Sequence, residues 1–185
     1  MLAEKRKFTI EEVEKLYTSD ELVELINGEI FMQASPSIKH QRISMKLSTK
    51  LSLYFDGKKC EPFAAPIDVI LSNDEEVCEN KVIPDLIVVC DKDGLNENNY
   101  KGIPSLIIEI VSPSNSHHDY IRKLNLYERF GVLEYWIVDP RFKSIQIYYL
   151  NDGESYEITG VFKGNEVMES NIFKGLTVNL EDLFN

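Results

Sequence analysis

The stretch that decides the fold is PSLIIEIVSPS, residues 104–114. Leu106 to Val111 is a continuous run of strand-forming apolar residues, interrupted only by Glu109. Such a run is expected of a central strand buried on both faces. Ser112-Pro113-Ser114 ends it and leads into a predicted helix from about His118 to Phe130, which Gly131 closes as a C′ glycine would. Upstream, Leu86 to Cys90 is a second unbroken apolar run, entered through Pro84-Asp85. Proline is tolerated at the first residue of a strand. Downstream, Tyr135 to Asp139 and Ile145 to Leu150 read as strands around an Asp139-Pro140 turn. Residues 155–180 read as further β-structure, with a last helical turn at Leu180 to Phe184.

Toward the N-terminus, Thr9 with Glu12 three residues on predicts a capped short helix. Val23 to Met32 is a hairpin, because Asn27-Gly28 supplies the two positive-φ positions of a type I′ turn. Ser35-Pro36-Ser37 opens a helix from about Ile38 to Phe55, whose apolar stripe is Ile43, Leu47, Leu51 and Tyr54. His40 falls on the same stripe. Ile67 to Ser72 alternates weakly. The whole reads as one α/β (α+β) domain over residues 1–185, a central mixed β-sheet flanked by helices.

At 185 residues and 43% hydrophobic, the chain can bury a core without disulfide support. No apolar run approaches the roughly 20 residues of a membrane span. Met1 to Lys7 is charged and lacks a secretory apolar segment, so a cytoplasmic location is expected. Cys60, Cys78 and Cys90 are odd in number and widely spaced, so reduced thiols are expected. The net charge of -11 argues against a nucleic-acid partner at first sight. Much of the excess, however, lies in two acidic stretches, Asp74 to Glu79 and Asp91 to Glu97, and in Asp85 and Glu109. Carboxylates that hold a cation carry formal charge that the ion offsets.

Three residues contradict their surroundings. Glu109 stands inside a strand that should be buried, where a lone carboxylate needs a cation, a proton or a hydrogen-bonded partner. A structural ion pair satisfies that need as well as a metal does. Asp85 opens the neighbouring apolar run, so the two carboxylates converge on one ion if the runs pair. Their hard oxygens favour Mg²⁺ or Mn²⁺ over zinc. Lys123 falls on the apolar side of its predicted helix, between Phe130 and Tyr127. There it either snorkels to solvent or serves a site, with Asp119 one turn earlier as a helical ion-pair partner. Two carboxylates, a metal and a lysine suit phosphodiester hydrolysis.

Six segments, in order, carry a resemblance: VELINGEI (23–30), SPSIKHQRI (35–43), IPDLIVV (83–89), PSLIIEIVSPS (104–114), DYIRKLNLY (119–127) and GVLEYWIVDP (131–140). Over roughly residues 20–150 the chain resembles the Uma-type ("Uma-two") family of restriction-endonuclease-like proteins. The resemblance implies the PD-(D/E)XK nuclease fold, with Asp85 and Glu109 as the acidic metal ligands. Where the commoner motif has lysine two residues after the glutamate, this chain has Val111. The family's lysine moves to the following helix, where Lys123 matches. Glu29 and His40 sit at positions the family tends to keep. Glu29 adds a carboxylate or simply faces solvent; His40 touches the phosphate, orients Glu109 or is a satisfied helix-start histidine. His117 and His118 read as loop residues.

Lys39, Arg42, Lys46 and Lys50 form a basic stripe on the first long helix, either a nucleic-acid face or an ordinary solvated one. The expectation is an Mg²⁺- or Mn²⁺-dependent DNA endonuclease, working as a homodimer because duplex cleavage needs two cuts. The alternatives are a catalytically weak nuclease-like fold that binds nucleic acid or protein, and an enzyme acting on RNA.

Overall fold

A computed structural model describes residues 6–18, 21–72, 80–112, 118–152 and 154–185, with the backbone alone at 118–120. Pro113 and Ser114 of the turn after the Glu109 strand, the stretch Asp74 to Glu79, Cys78, His117 and the side chains of His118 and Asp119 lie outside the described residues.

Thr9 caps α1 (Ile10–Leu16) with the full capping box to Glu12. β1 (Val23–Ile26) and β2 (Glu29–Met32) form the hairpin, with Asn27 at φ 54° and Gly28 at φ 82°. α2 (Ile38–Phe55) starts at the Ser37 cap and buries His40, Ile43, Leu47, Leu51 and Phe55. Next come β3 (Glu61–Ala64), β4 (Asp68–Leu71), β5 (Asn80–Val82), β6 (Leu86–Val89), β7 (Asn99–Lys101) and β8 (Leu106–Ile110). α3 (His118–Phe130) crosses over to β9 (Glu134–Asp139), and β10 (Ser144–Asn151), β11 (Ser155–Lys163), β12 (Val167–Glu169), β13 (Thr177–Asn179) and α4 (Leu180–Phe184) complete the chain.

The strands make two larger sheets rather than one. Six strands run in the order β11-β10-β9-β8-β6-β3, and five in the order β2-β1-β5-β4-β7; β12 and β13 pair separately. β6 and β8 are antiparallel, whereas β8 and β9 are parallel, as the α3 crossover requires. The six-stranded sheet is apolar on both faces. α2 packs Ile43, Leu47 and Leu51 with Leu86, Val88, Leu106, Ile108 and Trp136. α3 packs Leu126, Tyr127 and Phe130 on the other face with Ile87, Ile107 and Tyr135.

The expectation of reduced cysteines is corrected for two of the three. Cys60 and Cys90 form a disulfide. Antiparallel pairing of β3 with β6 matches Glu61 to Val89, which brings the residues just beyond them face to face across 30 positions of sequence. Their spacing in the chain carries no trace of this. Among the described residues, no helix is long and apolar enough to cross a membrane.

Candidate active site

Asp85 immediately precedes β6, and the β6–β8 register pairs Leu86 with Ile108. Asp85, just before Leu86, is thereby brought beside the strand end that carries Glu109, and its carboxylate reaches the Ile110 backbone N–H. The sequence expectation of two carboxylates on neighbouring strands holds in this register. Glu109 shares a face with Ile107 and Val111, the face on which α3 packs.

Asp85 is fixed from two sides. Its Oδ2 accepts the Ile110 backbone N–H at 2.7 Å and lies 3.1 Å from His40 Nε2. His40 sits in the first turn of α2, its own N–H donating to Ser37 Oγ. Burial disfavours the imidazolium, but the Asp85 carboxylate outweighs it and holds the His40 pKa above its ordinary value. Among the described residues, His40 Nδ1 is buried without a hydrogen-bond partner.

Glu109 Oε1 accepts from Lys123 Nζ at 2.9 Å and from the Tyr127 hydroxyl at 2.8 Å. Burial pushes the Glu109 pKa up to about 8; Lys123 opposes the rise, and the negative charges of Asp85 and Glu24 add to it. Lys123 is only 4% exposed. Its ammonium bridges two carboxylates, Glu109 and Glu24, each at 2.9 Å. The inward position read from the helical wheel is therefore where the lysine sits.

Glu24 escaped the sequence reading. It is 2% exposed in β1, and its Oε1 also accepts the Ile83 backbone N–H at 2.9 Å. The signal was present, because VELI carries a carboxylate in a strand with no exposed residue, the rule that marks Glu109. Glu29, favoured instead, pairs with Ile26 at the other end of the hairpin and is half-buried.

Glu134 shows what a purely structural buried carboxylate looks like. Glu134 is fully buried and accepts from the Trp136 indole, Ser170 Oγ and the backbone N–H groups of Asn171 and Ile172. Both oxygens are used, and together they fasten the C-terminal segment to β9. In the Asp85–Glu109 pair the hydrogen bonds gather on Oδ2 and Oε1. Among the described residues, no hydrogen bond reaches Asp85 Oδ1 or Glu109 Oε2. These two oxygens, beside the lysine that Glu24 and Glu109 share, are hard ligands of the kind a divalent cation takes. Among the described residues no three acidic, histidine or cysteine side chains gather round one point. The protein would thus supply few ligands, and water and phosphate the rest, as Mg²⁺ prefers.

The basic stripe of α2 is divided. Lys39 Nζ donates to the Pro140 carbonyl. Lys46 Nζ donates to the carbonyls of Asp182, Leu183 and Asn185 at 2.6, 3.4 and 3.3 Å, capping the C-terminus of α4. Arg42 and Lys50 are exposed.

Comparison with known proteins agrees with this architecture. A crystal structure titled as that of a "putative nuclease belonging to DUF820" from Anabaena variabilis superposes with a TM-score of 0.77, covering 96% of this chain and 97% of that one at 20% identity, which establishes the shared fold. Two uncharacterized proteins of Synechocystis are similar in sequence. One is 29% identical over 130 residues, 70% of this chain but 66% of that protein, just under two thirds of its length. The other is 25% identical over 154 residues, 82% of this chain and 85% of that protein. The Uma2 family, described as "Putative restriction endonuclease", matches residues 10–181, well beyond the 20–150 over which the motifs run. With that match across nearly all of its length, the chain belongs to the Uma2 family.

Proposed function

We propose that this protein is a metal-dependent endonuclease that hydrolyses phosphodiester bonds of DNA, with Asp85 and Glu109 as metal ligands. The observation that carries the reading is the Lys123 bridge. A lysine reaching Glu109 from α3 replaces the one missing at Val111, and its ammonium is held 2.9 Å from the carboxylate. Bound Mg²⁺ or Mn²⁺ would lower the pKa of a coordinated water and offset charge on the scissile phosphate. The chain's own residues do the positioning. His40 and the Ile110 N–H hold Asp85 Oδ2, which leaves Oδ1 available to a cation. Tyr127 orients Glu109 by donating to Oε1. Glu24 fixes the Lys123 ammonium at 2.9 Å, where it can stabilise developing negative charge on phosphate.

The deciding experiment is cleavage of plasmid, single-stranded DNA and RNA with Mg²⁺ and with Mn²⁺, using wild type, Glu109→Gln and Lys123→Ala. Metal-dependent DNA nicking lost in both variants supports the reading, and RNA cleavage alone would move the substrate to RNA. A second reading, a nuclease-like binding module, is favoured by one feature: the ammonium already spans two carboxylates. Nucleic-acid binding with no cleavage under any metal would select it. A homodimer is part of the proposal. β11 is an edge strand of the six-stranded sheet with Ile158 57% and Val161 50% exposed, an unpaired ladder that a second copy can extend. A monomer by light scattering at micromolar concentration, with and without DNA, rejects it.

A further inference from the structure

Glu109 is the beginning of a row. Glu109 pairs with Ile137 on β9, Ile137 with Gln146 on β10, and Gln146 with Val161 on β11. Directly paired residues project to the same face, so Glu109, Ile137, Gln146 and Val161 cross the sheet in line beneath α3. The far end of the row is open. Ile137, Gln146 and Val161 line a cavity of about 530 Å³ together with Ile121 of α3, Phe142 and Lys163. That volume lies in the range of small-ligand sites. Two strand spacings separate Gln146 from Glu109, about 10 Å.

We propose that this cavity receives an unpaired nucleobase, that of the nucleotide flanking the phosphate held at Asp85 and Glu109, and that the substrate is a single-stranded or locally unpaired nucleic acid. The inference rests on the nuclease reading for its register but not for its test. Four features select a base over another occupant. Phe142 is 69% exposed beside the opening, with the Arg141 guanidinium 5.5 Å from its ring centroid, an arrangement on which a base can stack. Ile121, 57% exposed, offers an apolar surface from α3. Gln146 Nε2 donates to the Tyr148 hydroxyl at 2.8 Å, which leaves the amide oxygen as an acceptor and the hydroxyl proton as a donor, the mixed edge that a base requires. Lys163 is exposed at the rim and forms no ion pair among the described residues, placing a cation where the adjoining phosphate would pass. Arg141 stands at the same rim, its guanidinium held by Asp139 at 2.9 Å. In a chain of net charge -11, such a localised anchor matters more than a diffuse basic surface. A base still held in its pair and stack cannot enter a pocket built for one base, so duplex must first open.

The test is fluorescence and affinity with a short single-stranded oligonucleotide carrying 2-aminopurine, in EDTA so that no cleavage occurs. Wild type, Phe142→Ala and Gln146→Leu are titrated, with a fully paired duplex of the same sequence as competitor. The expected result is a change in 2-aminopurine emission on binding wild type. Affinity should fall about fivefold or more in Phe142→Ala, the lower end of what one stacking aromatic contributes. Gln146→Leu should weaken binding while changing which base is preferred, and duplex should compete poorly. An unchanged titration in Phe142→Ala, equal competition by duplex, or no binding of single strand overturns the proposal. Cleavage of a separate metal-loaded sample keeps the two ideas apart. Normal cleavage with no effect of Phe142→Ala leaves the nuclease reading standing and removes the base pocket. No cleavage with an intact 2-aminopurine response does the reverse.

Discussion

Glu109→Gln makes a sharp demand on the pH dependence of stability. Without metal, burial raises the Glu109 pKa from 4.5 to about 8, against the pull of Lys123. At about 1.4 kcal/mol for each pKa unit, that rise sets a ceiling of roughly 5 kcal/mol. Glu109 shares its environment with Lys123, Asp85 and Glu24, so about 2 kcal/mol is the working expectation. Between pH 4.5 and 8 the folded state keeps the proton and the unfolded state has released it. The folded chain therefore binds more protons, and stability falls as pH rises across that window. His40 acts in the same direction. Its raised pKa contributes stability that is present below pH 6.5 and lost as pH rises through the folded-state value. The comparison between proteins, rather than either curve alone, thus isolates Glu109. Urea denaturation of both proteins in EDTA from pH 5 to 8.5 is the assay. Wild type should lose ~2 kcal/mol more than the variant over the range, and Mg²⁺ at pH 8 should restore stability to wild type only. Parallel profiles for the two proteins, or equal rescue by Mg²⁺, would refute the argument that Glu109 is a strained carboxylate awaiting a cation.

Lys123→Ala leaves Glu24 and Glu109 buried without their shared cation. It should destabilise by about 3–5 kcal/mol in chemical denaturation and slow any cleavage by about 10²-fold under folded conditions. Replacing Cys60 and Cys90 with serine opens a link spanning 30 positions, which the chain-entropy account values at about 3–4 kcal/mol. A urea midpoint unmoved by the double variant, or by reductant on wild type, would contradict the link. Arg42→Glu with Lys50→Glu tests the α2 stripe without disturbing the lysines tied to carbonyls. If α2 meets nucleic acid, affinity falls and the salt dependence shallows by roughly 0.9 log units per lost duplex contact. An unchanged salt slope assigns the stripe to solvent. Lys46→Ala should instead lower stability by about 1 kcal/mol through the α4 cap, readable by thermal melting with no change in affinity.

The periodic and punctuating residues made the secondary structure readable from the chain. Asn27-Gly28 forced the hairpin, the Thr9 and Ser37 caps placed two helix starts, and Gly131 ended α3. Each of these acts over a few residues, within the range where backbone sterics and capping are local. Glu109 and Lys123 were legible for a related reason, since a charge on an apolar stripe violates a pattern visible without coordinates. Three things were decided only in the fold. Short strands such as β5 and β7 carry too few residues for any period, so the division into two sheets came from pairing at long range. The partners of Lys123 include Glu24, distant by 99 positions and brought in by α3 lying over the sheet while β1 runs beside it. Cys60 meets Cys90 because β3 runs against β6. The sequence by itself named the residues that cannot rest alone in a core. Only the tertiary structure could say which of them rest together, because burial is local to a strand or helix face and pairing is a property of the whole chain's path.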